Sequence, residues 1–291
     1  MTHHDSPAEG DMATMSPSGR EVAIENLTIA FGGRDGVVAT EGVSFVVKPG
    51  ELVTIIGPSG CGKSTVLNAI ASLVPKSQAE ISGQIRIGGE PVDPYSSGQT
   101  SRGLGYVFQR DSLLPWRTVA ENVAMGLEIR DIGGSERRDR VAELLDMVGL
   151  TGFEDYYPHQ ISGGMRQRAS LVRTLAYDPD IILMDEPFGA LDAQTRMTLQ
   201  AELIRIWFDA KKTILFVTHD LAEAITLGDR VISFSRQPGH IIADMAVPFQ
   251  HPRDPFALFG ASEFVEYQAD VWREISDQFR ASGATDEEVS S

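Results

Sequence analysis

The sequence predicts an α/β fold, and three observations carry that expectation. Short apolar runs bounded by turn residues recur at 52–56, 181–184, 213–217 and 231–234, with helically spaced stretches between them. A glycine-rich turn joins the first of these runs directly to a helix. A block from Thr118 to about Thr174 is dominated by helical spacing, as in Val141, Leu144, Leu145 and Val148. The order is therefore α/β with a helical insertion.

Each element has its own reason. Residues 1–20 are rich in Ser, Pro, Gly and acids without periodicity, and read as a flexible tail. Val22 to Phe31 alternates as a half-buried strand does, and Gly32-Gly33 and Gly36 break it. A second strand, 43–47, turns at Pro49-Gly50 into 52–56, which is apolar but for Thr54 and so suits a buried central strand. A helix follows at about 63–73, then strands at 81–87 and 104–108. After the helical block, strands at 181–184, 213–217 and 231–234 alternate with helices at about 193–210 and 220–227. Phe264, Tyr267, Val271, Ile275 and Phe279 share one face of a helix at about 263–279, which is expected to pack on the domain or on a partner subunit. Its other face carries acids, unlike a membrane-surface helix. Residues 281–291 read as disordered, and the chain has no internal repeat.

Composition narrows the classes. The 291 residues carry 25 Lys+Arg against 41 Asp+Glu, a formal net charge of −16, which argues against a broad basic face for nucleic acid. Residues 241–291 hold 10 of the acids and 3 of the bases, so much of the excess lies beyond the motifs described next. A local anion site is unaffected, because screening confines exposed charges to about 8 Å at physiological salt. The single cysteine excludes an intrachain disulfide framework and fits a reducing compartment. The longest apolar runs fall far short of the roughly 20 residues that span a bilayer, and the N-terminus lacks the pattern of a signal peptide.

The chemistry begins at Gly57-Pro58-Ser59-Gly60-Cys61-Gly62-Lys63-Ser64, followed by Thr65, which matches G-x-x-x-x-G-K-[ST] between a buried strand and a helix. Glycines there let successive N–H groups converge on phosphate oxygens, and the helix adds the positive end of its dipole. Lys63 is placed to reach the outer phosphates and the Ser64 hydroxyl to ligate Mg²⁺. An unliganded glycine-rich turn is the alternative, and the strand and helix context argues against it. Four apolar residues then lead into Asp185-Glu186: Asp185 to hold the metal through water, Glu186 to polarise the attacking water. The strand 213–217 runs on through Thr218 into His219, which composition alone would not single out.

Further segments carry a family resemblance. His159-Gln-Ile-Ser162-Gly163-Gly164-Met165-Arg-Gln-Arg168 resembles the signature motif of ABC transporter ATPases, usually written L-S-G-G-Q, with Ile161 for Leu and Met165 for Gln. With the phosphate loop, Asp185-Glu186, Gly189-Ala-Leu-Asp192 and His219, the chain resembles that family over about residues 22–245. The resemblance implies a P-loop NTPase (RecA-like) core with an antiparallel β subdomain and an inserted α-helical subdomain at about 110–175. The ATPase domain would span 21–247 and a C-terminal extension 248–280. Phe31 then resembles the aromatic that stacks on adenine. Gln109 resembles the Q-loop residue that touches magnesium and water. Ser162, Gly163 and Gly164 resemble the grip on the γ-phosphate bound to the other subunit, Asp192 the D-loop residue and His219 the switch histidine. ATP and Mg²⁺ are the implied cofactors, and a monomer would bind ATP but hydrolyse it poorly.

The run Leu113-Leu114-Pro-Trp116 after Gln109, with Ser-Gly-Gly-Met-Arg-Gln-Arg, resembles importers of nitrate, sulfonates, taurine and bicarbonate. The implied partners are a second copy of the chain, integral membrane permease subunits and, indirectly, an extracytoplasmic solute-binding protein, with no nucleic acid. The implied place is the cytoplasmic face of the inner membrane, held peripherally. Pro248 to Arg253 resembles the same group, and the stretch after His219 is short for the regulatory β-domain of sugar importers. Importers of thiamine precursors or riboflavin-like solutes share the Leu-Leu-Pro-Trp pattern, and a soluble non-transport ABC ATPase is the more distant alternative.

Overall fold

The computed structural model describes residues 19–32, 36–96, 103–189 and 191–281. The tails expected at 1–20 and 281–291 fall almost wholly outside these. In chain order the elements are β1 (Val22–Phe31), β2 (Val37–Val47), β3 (Leu52–Ile56), α1 (Lys63–Ile70), β4 (Ala79–Ile87), β5 (Glu90–Pro91), β6 (Leu104–Val107), α2 (Val119–Ile129), α3 (Gly134–Met147), α4 (Gly163–Ala176), β7 (Ile181–Asp185), α5 (Ala193–Ala210), β8 (Thr213–Val217), α6 (Leu221–Leu227), β9 (Arg230–Phe234), β10 (Ile241–Ala246), α7 (Pro255–Leu258) and α8 (Ser262–Ala281).

Two sheets form. An antiparallel sheet runs β2-β1-β4-β5, and a six-stranded sheet runs β10-β9-β3-β8-β7-β6. The latter is parallel except where β10 folds back on β9 through the short 235–240 loop, a connection too short for a parallel return. The central strands are apolar on both faces because both faces are covered. Ile182 and Met184 of β7 with Ile214 and Phe216 of β8 enter one core, under α2 to α5. Their neighbours Ile181, Leu183, Leu215 and Val217 enter the other, with α1 and the antiparallel sheet. All eight side chains are essentially excluded from water.

The helical block resolves into α2, α3 and α4. Thr118 caps α2, accepting from the Glu121 N–H at 3.2 Å while Glu121 accepts from the Thr118 N–H at 2.8 Å. Asn122, fully buried, accepts from the Leu114 N–H at 2.7 Å and donates to the Leu114, Arg117 and Thr118 carbonyls, fixing the loop that leads to α2. Trp116 at that loop's tip is 70 % exposed, whereas Leu113 is buried.

Three expectations need correction. β2 starts at Val37, six residues before the predicted strand, because Ala39 and Thr40 are buried against β1 while Glu41-Gly42 interrupts the alternation. α1 stops at Ile70 rather than 73, since Ser72 takes a left-handed φ of 56°. β10 and α7 were not anticipated. The predicted helix at 263–279 runs to both sides as α8, and its stripe packs on the chain itself. Phe264, Val271 and Ile275 join Ile56, Ala224, Ile225 and Val231, while the Phe279 side chain lies outside the described residues. Arg253 fastens this region: buried, it makes five hydrogen bonds to the carbonyls of Ile225, Thr226, Gly228 and Phe249 at 2.6–3.2 Å.

Candidate functional site

β3 and α1 deliver the phosphate loop between them, at the carboxyl end of a central parallel strand. Gly62 caps α1 at φ 93°, and a Cβ there would lie 2.4 Å from Thr40 Cγ2 and 2.8 Å from the Ala39 carbonyl. Glycine is thus what lets β2 press on the loop. From the other side the backbone of Gly239 approaches so closely that a Cβ would lie 2.0 Å from the Cys61 carbonyl. The loop is therefore held in shape before any ligand arrives. Cys61 is buried; burial pushes its thiol up from the ordinary value, and the nearby Lys63 opposes the shift.

Lys63 is buried, and its Nζ donates to the carbonyls of Gly57 at 2.7 Å and Pro58 at 2.8 Å. Its third N–H faces the Cys61 sulfur at 3.7 Å, a weak acceptor that a phosphate oxygen would readily replace. Ser59 and Gly60 are exposed at the loop's crest, and Ser64 and Thr65 are half-buried. The Ser64 hydroxyl donates to Asp185 Oδ1 at 2.8 Å. Burial raises the Asp185 carboxyl above its ordinary range; Ser64 and Lys63 pull it down, and Glu186 pushes it up.

Glu186 follows at φ 46°, a left-handed backbone that costs a non-glycine residue of order 1 kcal/mol or more. Its N–H donates to the Val217 carbonyl at 2.9 Å, so β8 holds the turn. Its Oε2 accepts from Gln109 Nε2 at 3.1 Å and lies 3.4 Å from His219 Nδ1. Three strand ends thus bring Gln109, Glu186 and His219 to one carboxylate oxygen. His219 is mostly exposed, on the open side.

Sequence reasoning missed the support beneath His219. Asp220 caps α6 through the Glu223 N–H at 3.1 Å and pairs with Arg196 at 3.4 Å. Glu223 is buried, accepts from Gln200 at 3.0 Å, and has its carboxyl raised by burial. The D-x-x-E pattern of Asp220 and Glu223 before an apolar run was a usable signal.

The remaining predicted residues stand elsewhere. Ser162 caps α4 and accepts from the Met165 N–H at 3.3 Å, with Gly163 and Gly164 opening the helix. A Cβ on Gly164 would lie 3.1 Å from Leu191, next to Asp192. Asp192 caps α5, and hydrogen bonds from Thr195 hold its carboxyl below the usual range. Ser162, Gly163, Gly164 and Asp192 therefore form a second group around Leu191. Phe31 sits half-buried at the end of β1, opposite Val37 and Ala79.

The family model described as ABC transporter matches residues 40–189. The chain is 41 % identical over 254 residues to the taurine import ATP-binding protein TauB of Rhizobium johnstonii, covering 85 % of this chain and 94 % of that one. It is 41 % identical over 247 residues to the aliphatic sulfonates import ATP-binding protein SsuB of Bacillus cereus, covering 85 % and 90 %. Among solved structures, the dimeric post-hydrolysis state of an ATP-binding cassette bound to ADP and Pi superposes with a TM-score of 0.70 at 33 % identity, covering 79 % of this chain and all of that one. The chain belongs to the ABC transporter family, as one of its ATP-binding cassettes.

Proposed function

We propose that the chain hydrolyses ATP as one of two identical cassettes and thereby powers uptake of a small solute of the taurine or aliphatic sulfonate class, with nitrate as a related cargo. The observation that carries the ATPase reading is the convergence of Gln109 and His219 on Glu186 beside the Ser64–Asp185 pair. The names of the relatives carry the cargo class. Integral membrane permease subunits are the partners, an extracytoplasmic solute-binding protein delivers the solute, and the chain works peripherally at the cytoplasmic face of the inner membrane. Among the described residues, no helix is long and apolar enough to cross a membrane.

In this reading the backbone N–H groups of 59–65 and Lys63 surround the β- and γ-phosphates, Lys63 exchanging loop carbonyls for phosphate oxygens. Adenine stacks on Phe31. The hard oxygens of Ser64 and Asp185, already 2.8 Å apart, with the Gln109 amide nearby, suit Mg²⁺, which would neutralise charge on the phosphates. Glu186 accepts the proton of the attacking water as the bond from the γ-phosphorus to its bridging oxygen breaks. Gln109 and His219 orient the carboxylate and the γ-phosphate. Ser162, Gly163, Gly164 and Asp192 face the nucleotide of the second copy, which is why a lone chain binds ATP yet turns it over poorly.

Lys63→Ala tests the phosphate site. Losing a charge-assisted contact to phosphate weakens MgATP binding by about tenfold or more, read by calorimetric titration. Unchanged affinity would refute the role.

A further inference from the structure

One face of α4 holds the segment that carries Gln109. Arg166 Nε donates to Asp111 Oδ2 at 2.9 Å, and the same guanidinium donates to the Ile161 carbonyl at 2.9 Å, just before the signature residues. Gln167, buried, donates to the Gln109 carbonyl at 3.4 Å. Two turns on, Arg173 donates to the Ser112 carbonyl at 2.7 Å and to the Ser112 hydroxyl. The N-terminus of this helix bears Ser162, Gly163 and Gly164, and Gln109 reaches forward to Glu186 at 3.1 Å. Hydrogen bonds through Arg166 and Asp111, joined by the short backbone stretch from Asp111 to Gln109, therefore connect the residue before the signature tip to the carboxylate of the chain's own site.

We propose that Arg166 and Asp111 are positioning residues that make the signature tip and Gln109 move as one body, so that engaging ATP on the partner cassette keeps Gln109 against Glu186 in the chain's own site. This inference rests on the proposed function, because it needs the signature residues to face the second copy. Its physical basis is that one guanidinium spans both segments. A shift of the tip drags Ile161, and through the same planar fork it drags Asp111, two residues from Gln109. Both side chains are about 30 % exposed, so the pair adds little to stability, and its removal leaves the fold in place.

The test is steady-state ATPase activity of the full chain against MgATP concentration, for wild type, Arg166→Gln, Asp111→Asn and the reversed double variant Arg166→Asp/Asp111→Arg. Two coupled sites give wild type a Hill coefficient between 1 and about 2. Each single variant is expected to fall to about 1, with kcat lowered about tenfold or more, while MgATP affinity measured on Glu186→Gln backgrounds at low protein concentration stays within about twofold. The reversed pair restores the ion pair between α4 and position 111 but not the bond to the Ile161 carbonyl, so it should recover only part of the cooperativity. Single variants with the wild-type Hill coefficient and kcat would overturn the coupling while leaving the ATPase reading intact. Single variants that lose ATP affinity in proportion to kcat, with no recovery in the reversed pair, would overturn it as well, since that pattern marks a folding defect. A wild-type chain that neither binds nor hydrolyses MgATP would remove the proposed function itself.

Discussion

Replacing Arg253 by Met probes how the C-terminal region is joined to the nucleotide-binding core. The guanidinium spans the carbonyls of Ile225, Thr226 and Gly228 at the end of α6 and that of Phe249 on the chain leading to α7. Methionine has comparable length and no donor. It would strand three helix-end carbonyls in the interior, each costing about 1–3 kcal/mol when unpaired. It would also remove the cation beside Asp229, whose carboxyl is pushed up by burial and held down by the Leu52 N–H and by Arg253. Partial rehydration of the carbonyls brings the total to about 3–5 kcal/mol, the range for breaking a buried charged network. At about 2–4 °C per kcal/mol for a chain of this size, the melting temperature should fall by roughly 6–20 °C. Arg253→Lys keeps the charge, but its single ammonium cannot bridge α6 and Phe249 together, so about half the loss should remain. Differential scanning calorimetry measures both. A Met variant melting within a degree of wild type would refute the argument that Arg253 joins the two regions.

Two further predictions follow from buried polar groups. His251 packs edge-on against Trp207 with ring centroids 4.6 Å apart, and burial, with Arg253 and Lys211 adding to it, lowers its pKa to about 3. Its folded pKa is thus depressed below the unfolded value near 6.5, so its contribution is complete above that pH and is lost as the unfolded chain takes up a proton below it. Between pH 7.5 and 5.5 wild type should lose about 1–1.5 kcal/mol more stability than His251→Gln; equal pH slopes in urea melts would contradict a buried neutral histidine. Asn122→Leu should destabilise by about 2–4 kcal/mol by orphaning the Leu114 N–H and the Arg117 carbonyl and removing a second bond from the Leu114 and Thr118 carbonyls, and should loosen the 114–118 loop. Hydrogen exchange reads both effects, and unchanged protection of that loop would count against the pinning role.

Much of the core was legible because its signals are local. Leu52 to Ile56, but for Thr54, and Ile181 to Met184 are apolar because two layers cover them, and the phosphate loop between strand and helix announces its own geometry. Asp185 and Glu186 end a strand where a parallel sheet places its ligands. The misses share a cause: their determinants are far away in sequence. β2 is extended by pairing with β1 despite Gly42, and β10 is an edge strand whose pattern is mixed. Nothing near Arg253 signals partners some 25 residues upstream in α6. The same holds for Arg166 and Gln167, whose partners at 109–112 precede them by more than fifty positions. Their types alone read as an ordinary polar face of a helix. The strained Glu186 backbone was equally hidden, because the hold from the Val217 carbonyl is tertiary.

Glu186→Gln tests the central claim most directly. The amide keeps the shape and the neighbours Gln109 and His219, but it cannot accept the proton of the attacking water. The account predicts ATP turnover reduced by about 10²–10⁴-fold with MgATP binding retained, and an ATP-dependent closed pair of chains visible by size-exclusion light scattering. Turnover near that of wild type, with no ATP-dependent pairing, would contradict it.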